Sequence, residues 1–212
     1  MKITRYKQSC FLVEIGDKNI YFDPYKISDN QPKADIICIS HSHFDHYDKK
    51  SIHKVSNDNT VIICPARCEK IIKKWGAVGL NIGETIEKKG VEISAFPAYN
   101  TRLLRKFFHP KRKDFLGYII RIDEQTIYHA GDCGLIPELN DLGDITLAFL
   151  PISGWFTMNI EEATQAVTRI KPKHVVPMHE RGKSIKNFGK KVKEEAPNTN
   201  VILLNPLESQ KF

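Results

Sequence analysis

The sequence predicts an α/β fold in which two β-sheets pack together with helices outside. Three observations carry this. Short apolar runs alternate with amphipathic stretches along the chain. The first half is rich in strand-like runs, the second half is mixed, and each half carries helices. The 212 residues, 41% of them hydrophobic, can bury a sizeable core as one domain spanning residues 1–212.

The elements follow in order. Phe11 to Ile15 and Ile20 to Phe22 read as a hairpin around Gly16-Asp17, ended by Asp23-Pro24. Ala34 to Ser40, reading ADIICIS, is a buried strand. Asp48 can cap a helix over Lys49 to Val55. Thr60 to Cys64 is another apolar strand, and Pro65 suits the first turn of a helix that ends near Gly76. Glu84 to Lys88 with Val91 to Phe96, and Gly117 to Ile122 with Thr126 to His129, read as two more hairpins, separated by a basic loop from Arg102 to Lys113. Asp144 to Pro151 is a buried strand. Asn159 and Glu162 have the spacing of a capping box for a helix that stops at Lys171-Pro172. Lys173 to Met178 is a strand ending at His179, followed by a basic helix and a last strand, Val201 to Leu204.

Composition excludes several classes. No apolar run approaches the roughly 18 residues needed to span a bilayer, and the N-terminal segment has no small-residue cleavage site. A cytoplasmic protein is expected. Cys10, Cys38, Cys64, Cys68 and Cys133 form no CxxC pair, so packed free thiols are expected rather than a cysteine-only zinc site. The net charge of +7 suits an anionic substrate or nucleic acid, although many lysines fall on solvated helix faces.

The chemistry concentrates in His41-Ser42-His43-Phe44-Asp45-His46, directly after a buried strand. His41 and His43 are two apart and point to one side while the chain stays extended. Asp45 and His46 lie where the chain must turn, and can face the same point from another direction. Imidazole nitrogen with carboxylate oxygen suits zinc, iron or manganese. One tetrahedral ion needs about three protein ligands plus water. Four candidates here, with more elsewhere, suggest two ions side by side. No G-x-S-x-G serine motif and no phosphate-cradling glycine loop competes with this reading.

This stretch resembles the HxHxDH signature of the metallo-β-lactamase superfamily at every fixed position. The resemblance extends to His129-Ala130-Gly131-Asp132 and to Val175-Val176-Pro177-Met178-His179, in the family's order. It is closest to the compact microbial hydrolases grouped with ascorbate-lactone hydrolases and N-acyl phosphatidylethanolamine phospholipases. The resemblance implies a four-layer αββα sandwich with the site at the ends of the sheets. It implies two divalent transition-metal ions, zinc first with manganese or iron as alternatives. His41 and His43 would hold one ion, Asp45, His46 and His179 the other, with Asp132 bridging. Asp23 would orient a metal histidine, although a turn former reads equally well there.

One departure stands out. The family supplies a further histidine near an Ala-x-His, and here Pro97-Ala98-Tyr99-Asn100 places asparagine at that position. His109 is the natural substitute, as ligand or substrate contact, the alternative being an ordinary loop residue. Asn100 could still reach a harder metal or a bound water. Cys133, next to Asp132, is expected to be a buried neighbouring thiol.

Such ions acidify bound water toward a pKa of about 7, and the hydroxide would attack an ester, lactone, amide or phosphodiester. Asp45 would hold it and take its proton. Arg102, Arg105, Lys106, Lys111, Arg112 and Lys113 surround His109 and would favour a small anionic substrate. Trp155-Phe156 reads as an apolar wall or as core. The alternatives are a nuclease acting on RNA or DNA and a non-hydrolytic metal-binding or redox relative. The oligomeric state is not set by the sequence.

Overall fold

The computed structural model describes residues 1–102 and 109–212. Among these residues the strands form two seven-stranded sheets. The first sheet contains β1 (Lys2–Arg5), β2 (Phe11–Ile15), β3 (Lys18–Phe22), β4 (Ile36–Cys38), β5 (Val61–Pro65) and β6 (Val78–Leu80), laid side by side in chain order. The second contains β7 (Thr85–Lys88), β8 (Val91–Pro97), β9 (Leu116–Ile122), β10 (Gln125–His129), β11 (Leu147–Pro151), β12 (His174–Met178) and β13 (Asn200–Val201), also in chain order. The C-terminal strand β14 (Ser209–Lys211) returns to the first sheet and pairs antiparallel with β1.

Each sheet is part hairpin and part parallel. β1, β2 and β3 are antiparallel, while β3, β4, β5 and β6 are parallel. The second sheet repeats the scheme, with β7 to β10 antiparallel and β10 to β13 parallel. Parallel strands need helical crossovers and covering on both faces. Helices α1 (Lys49–Val55) and α2 (Glu69–Trp75) provide the cover on the first sheet. Their Ile52, Val55 and Ile71 are buried in one cluster with Leu12, Tyr21, Ile37 and Ile39. The strand neighbours of these residues, Phe11, Val13, Ile20, Phe22, Ile36 and Cys38, belong to the main core between the sheets, as the two-residue period demands. Helices α3 (Ile160–Ile170) and α4 (Ile185–Glu195) bury Ala163, Ala166, Val167, Phe188 and Val192 in the cluster shared with the second sheet. The architecture is the αββα sandwich.

Local signals set most boundaries. Asp48 accepts from Lys50 N at the start of α1. Asn159 and Glu162 form the reciprocal capping box at the start of α3. Gly76, in the left-handed region, ends α2. Three expectations need correction. Pro65 closes β5 instead of opening a helix, and α2 begins only after Cys68. The strand expected at Val201 to Leu204 is the shorter β13, which pairs only with His174 and Val175 of β12, and the chain's last strand is β14. Strands β1, β6 and β14 went unpredicted: each is short, and β1 and β14 are largely polar. Among the described residues no helix is long and apolar enough to cross a membrane.

The sheets are locked by an aromatic plug. Phe11 of β2 meets Phe149 of β11 at 4.3 Å between ring centroids, and Phe22 stacks on His129 at 4.7 Å. His129 Nε2 lies 2.9 Å from Ser9 O, so a polar tie accompanies the apolar one. Phe149→Ala removes the ring shared by both sheets. It is expected to destabilise the protein by about 3–5 kcal/mol, measured by denaturant unfolding.

Candidate metal centre

Four parallel strands end at one place. Asp23 follows β3, His41 lies three residues beyond β4, Asp132 lies three beyond β10, and His179 follows β12. The crevice beyond the carboxyl ends of parallel strands is where α/β folds hold ligands. Backbone bonds pin the junction: Leu116 N donates to Ser40 O at 3.1 Å, Tyr118 Oη to Ile39 O at 2.8 Å, and His179 N to Gln8 O at 3.2 Å.

His41, His43, Asp45, His46, His109, Asp132 and His179 meet in this crevice. Their ligand atoms form three groups, each within 4.8 Å: His41 with His43 and His109, His41 with His46 and Asp132, and Asp45 with His46 and His179. Asp132 sits between the outer two groups. Its Oδ2 is 3.5 Å from His109 Nε2 and 4.0 Å from His41 Nε2, while its Oδ1 is 3.2 Å from His46 Nε2 and 3.5 Å from His179 Nε2. Gly131 makes this approach possible. It has φ +58, and a Cβ there would lie 2.9 Å from Leu116 O.

A layer behind sets ring orientation. Ser40 donates from N and from Oγ to the two oxygens of Asp23, both at 2.7 Å. Asp23 Oδ2 also lies 2.7 Å from His46 Nδ1, and Ser40 Oγ lies 2.9 Å from His41 Nδ1. With its hydroxyl proton committed to Asp23, Ser40 accepts from His41 Nδ1–H. Asp23 accepts from His46 Nδ1–H. Both histidines therefore present an Nε2 lone pair to the crevice, a tautomer fixed by the second partner. Asp23 is thus a buried acceptor as well as a turn residue, at φ +43.

The cluster fits cations. Nε2 of His46, both ring nitrogens of His109 and of His179, and Asp132 Oδ1 are buried with no hydrogen-bond partner among the described residues. Buried polar groups left this way cost free energy unless something binds them. His41 Nε2 and His43 Nδ1 lie 3.0 Å apart, two acceptors turned to one point. Burial pushes the His41 imidazole well below its usual range and His109 down to about 4, so neither competes with a metal by holding a proton. Burial opposes ionisation of Asp132, but His179 and His46 outweigh it and hold the carboxyl well below the ordinary value. Burial likewise opposes charge on His46, yet Asp132 and Asp23 raise its pKa well above the usual imidazole value.

Other predicted residues lie elsewhere. Asn100 is in none of the ligand groups. Its Nδ2 donates to Phe156 O at 2.5 Å and its N to His109 O at 2.9 Å, so it closes the base of the loop that carries His109. Its Oδ1 faces Gly134, where a Cβ would come within 2.7 Å. Cys133 is buried, its thiol pushed up to about 12 by burial and 3.1 Å from Gly134 O. Arg105 and Lys106 lie outside the described residues. Of the remaining loop cations, Arg102 pairs with Glu162 at 2.7 Å and Lys111 with Glu138 at 3.0 Å. Lys113 lies 5.6 Å from the Phe115 ring centre.

Two contributors escaped the sequence reading. Ser40 was counted only as strand. Arg181, whose Nη2 donates to Asp45 Oδ2 at 2.8 Å, was not weighed at all. Its place two residues after His179 was the available signal. Two clefts flank the centre. One of about 710 Å³ has Ser42, His43, Tyr47, Arg67, Lys70, Lys113 and Phe115 in its walls. The larger, about 1050 Å³, runs beside Trp155 and Lys183 and touches none of the ligand candidates. Trp155 is mostly exposed there, a wall rather than core.

Comparison with known proteins shows the family. The β-lactamase superfamily domain matches residues 2–179. A UPF0173 metal-dependent hydrolase of Pelotomaculum thermopropionicum is 33% identical over 195 residues, covering 84% of each chain. The crystal structure of a putative metal-dependent hydrolase from Parabacteroides distasonis superposes with TM-score 0.86 at 35% identity, over 95% of this chain and 91% of that one. A metallo hydrolase from Ignicoccus hospitalis gives 0.81 at 27% identity, over 100% and 98%. The chain belongs to the β-lactamase superfamily, among its UPF0173 metal-dependent hydrolases.

Proposed function

We propose that the chain hydrolyses a small anionic ester, lactone or phosphodiester at a two-metal centre, zinc being the first candidate. The observation that carries this is the pair of three-ligand groups flanking Asp132. In this reading His41, His43 and His109 would hold one ion and Asp45, His46 and His179 the second, with Asp132 placed to serve both. When bound, the ions would polarise the substrate's carbonyl or phosphoryl oxygen and acidify water. Asp45 takes the proton of the attacking water at Oδ1, the oxygen that Arg181 leaves free. Asp23 and Ser40 keep His46 and His41 in the tautomers that leave Nε2 unprotonated. The enclosed crevice keeps bulk water from the reacting groups.

The anionic preference rests on the 710 Å³ cleft, because His43 lines it together with Arg67, Lys70 and Lys113, against one acidic residue, Glu69. Phe115, Tyr47 and Ile71 offer the apolar part of a substrate a surface. The volume is typical of small-molecule sites.

The purified protein, loaded with zinc and dialysed, should hold about two ions per chain and cleave a member of a broad panel of esters, lactones and phosphodiesters. One ion at saturation defeats the dinuclear reading, and no turnover on the panel defeats the hydrolytic one. His109→Ala should weaken the first ion by about 10- to 100-fold in a competitive chelator titration, with turnover partly restored by added metal. Unchanged metal affinity with raised KM would make His109 a substrate contact instead. Lys70→Ala with Lys113→Ala should raise KM for an anionic substrate by about tenfold, near 1.4 kcal/mol, and leave a neutral ester unaffected. Equal effects on both would remove the cleft from substrate selection.

A further inference from the structure

We infer that Arg181 is a resident cation of the second metal position, sharing Asp45 with the ion and thereby making the two positions fill in sequence. The inference rests on the two-metal reading above and goes beyond it.

The contact is short and aimed. Arg181 Nη2 donates to Asp45 Oδ2 at 2.8 Å, and the same oxygen lies 3.5 Å from His179 Nε2, a ligand candidate. A cation held by Asp45 Oδ2 and His179 therefore has the guanidinium as a close neighbour. Asp45 is buried, with its side chain 3% exposed, while Arg181 is 34% exposed, so the pair sits at the lip of the crevice where screening is incomplete.

The segment is built to hold this aim. His179 and Arg181 adopt φ +49 and +42, and Gly182 follows at φ +83. Non-glycine residues occupy that region only when their surroundings hold them there. Glu180, between the two, is turned the other way and bound by Arg5, whose side chain is 1% exposed and which also donates to Leu204 O at 2.6 Å. With His179 fixed inward and Glu180 fixed backward, Arg181 returns to the crevice.

Charge then decides the outcome. Arginine keeps its proton at all working pH values, so its charge cannot be shed when a metal arrives. The first position, His41, His43 and His109, has no arginine or lysine bonded to a ligand among the described residues, Lys113 acting on His43 only from across the cleft. It fills first. The second fills only when the ion outcompetes or tolerates Arg181.

Cobalt(II) titration of the metal-free protein tests this, following visible absorption and bound metal per chain, with thermal unfolding as the control for folding. In the wild type two steps are expected, the second the weaker. Arg181→Gln can still donate a hydrogen bond but has no charge, and it should tighten the second step by about tenfold or more without moving the first. Arg181→Lys keeps the charge and should stay near the wild type. One ion in the wild type and two in Arg181→Gln would support the inference in its strongest form. Two ions in both with an unchanged or weaker second step overturns it and leaves the two-metal reading standing. One ion in every variant overturns both.

Discussion

Asp132 and Asp45 carry negative charge where almost no water reaches them, at 5% and 2% exposure. A folded chain keeps such groups only by surrounding them with positive charge or with groups that can become positive, since each buried ion otherwise costs several kcal/mol. Much of the local structure follows from that requirement. Five imidazoles converge on the two carboxylates, and Arg181 covers one of them. Asp132 and Asp23 beside His46 draw its pKa upward against the effect of burial, which meets the need only in part. Divalent cations would meet it better, because in the proposed reading they would also engage the ring nitrogens of His109 and His179 that otherwise lack partners. The cluster is a poor solution to packing and a good one to holding cations.

The sandwich makes this affordable. Each sheet delivers two strand ends to the crevice, β3 and β4 from one and β10 and β12 from the other. The core beneath, with Phe11, Phe22, His129 and Phe149 clasped between the sheets, fixes the distance between those ends. Backbone positions that other proteins would avoid are tolerated here, with Asp23 and His179 both at positive φ. Such strain survives only in well-held surroundings. Core packing and site geometry are therefore coupled through the same strands, β3 and β10 carrying both the plug residues Phe22 and His129 and the chain into Asp23 and Asp132.

The fold was legible because its signals were local and mutually consistent. The Phe11–Phe22 hairpin, the Asp48 cap and the Asn159–Glu162 capping box each depend on residues close in sequence. Strands β1 and β14 were not legible, since their partnership joins Lys2 to Lys211 across the whole chain. Pro65 misled because its ring suits a helix start, yet as the last residue of β5 it pairs with Leu80 across the sheet. In the site, the spacing of His41, His43, Asp45 and His46 announced a shared target, and the family resemblance, followed in order along the chain, pointed to Asp132 and His179. Ser40 and Arg181 were harder. Serine and arginine carry no ligand signature, and their roles exist only through contacts with Asp23, His41 and Asp45 that the third dimension creates.

Asn100 and His109 meet at the base of one loop. The asparagine ties loop residue 156 to the strand end and, through its backbone, holds the carbonyl of His109. The backbone bond between Asn100 and His109 and the burial of His109 accompany the placing of its ring beside His41 and His43. Arg102 before the span and Lys111 after it are anchored to Glu162 and Glu138, which holds both ends of the loop by charge. Under the proposed two-metal reading, a histidine supplied this way needs no strand of its own, because its Nε2 already lies 3.5 Å from Asp132 Oδ2 and beside His41 and His43.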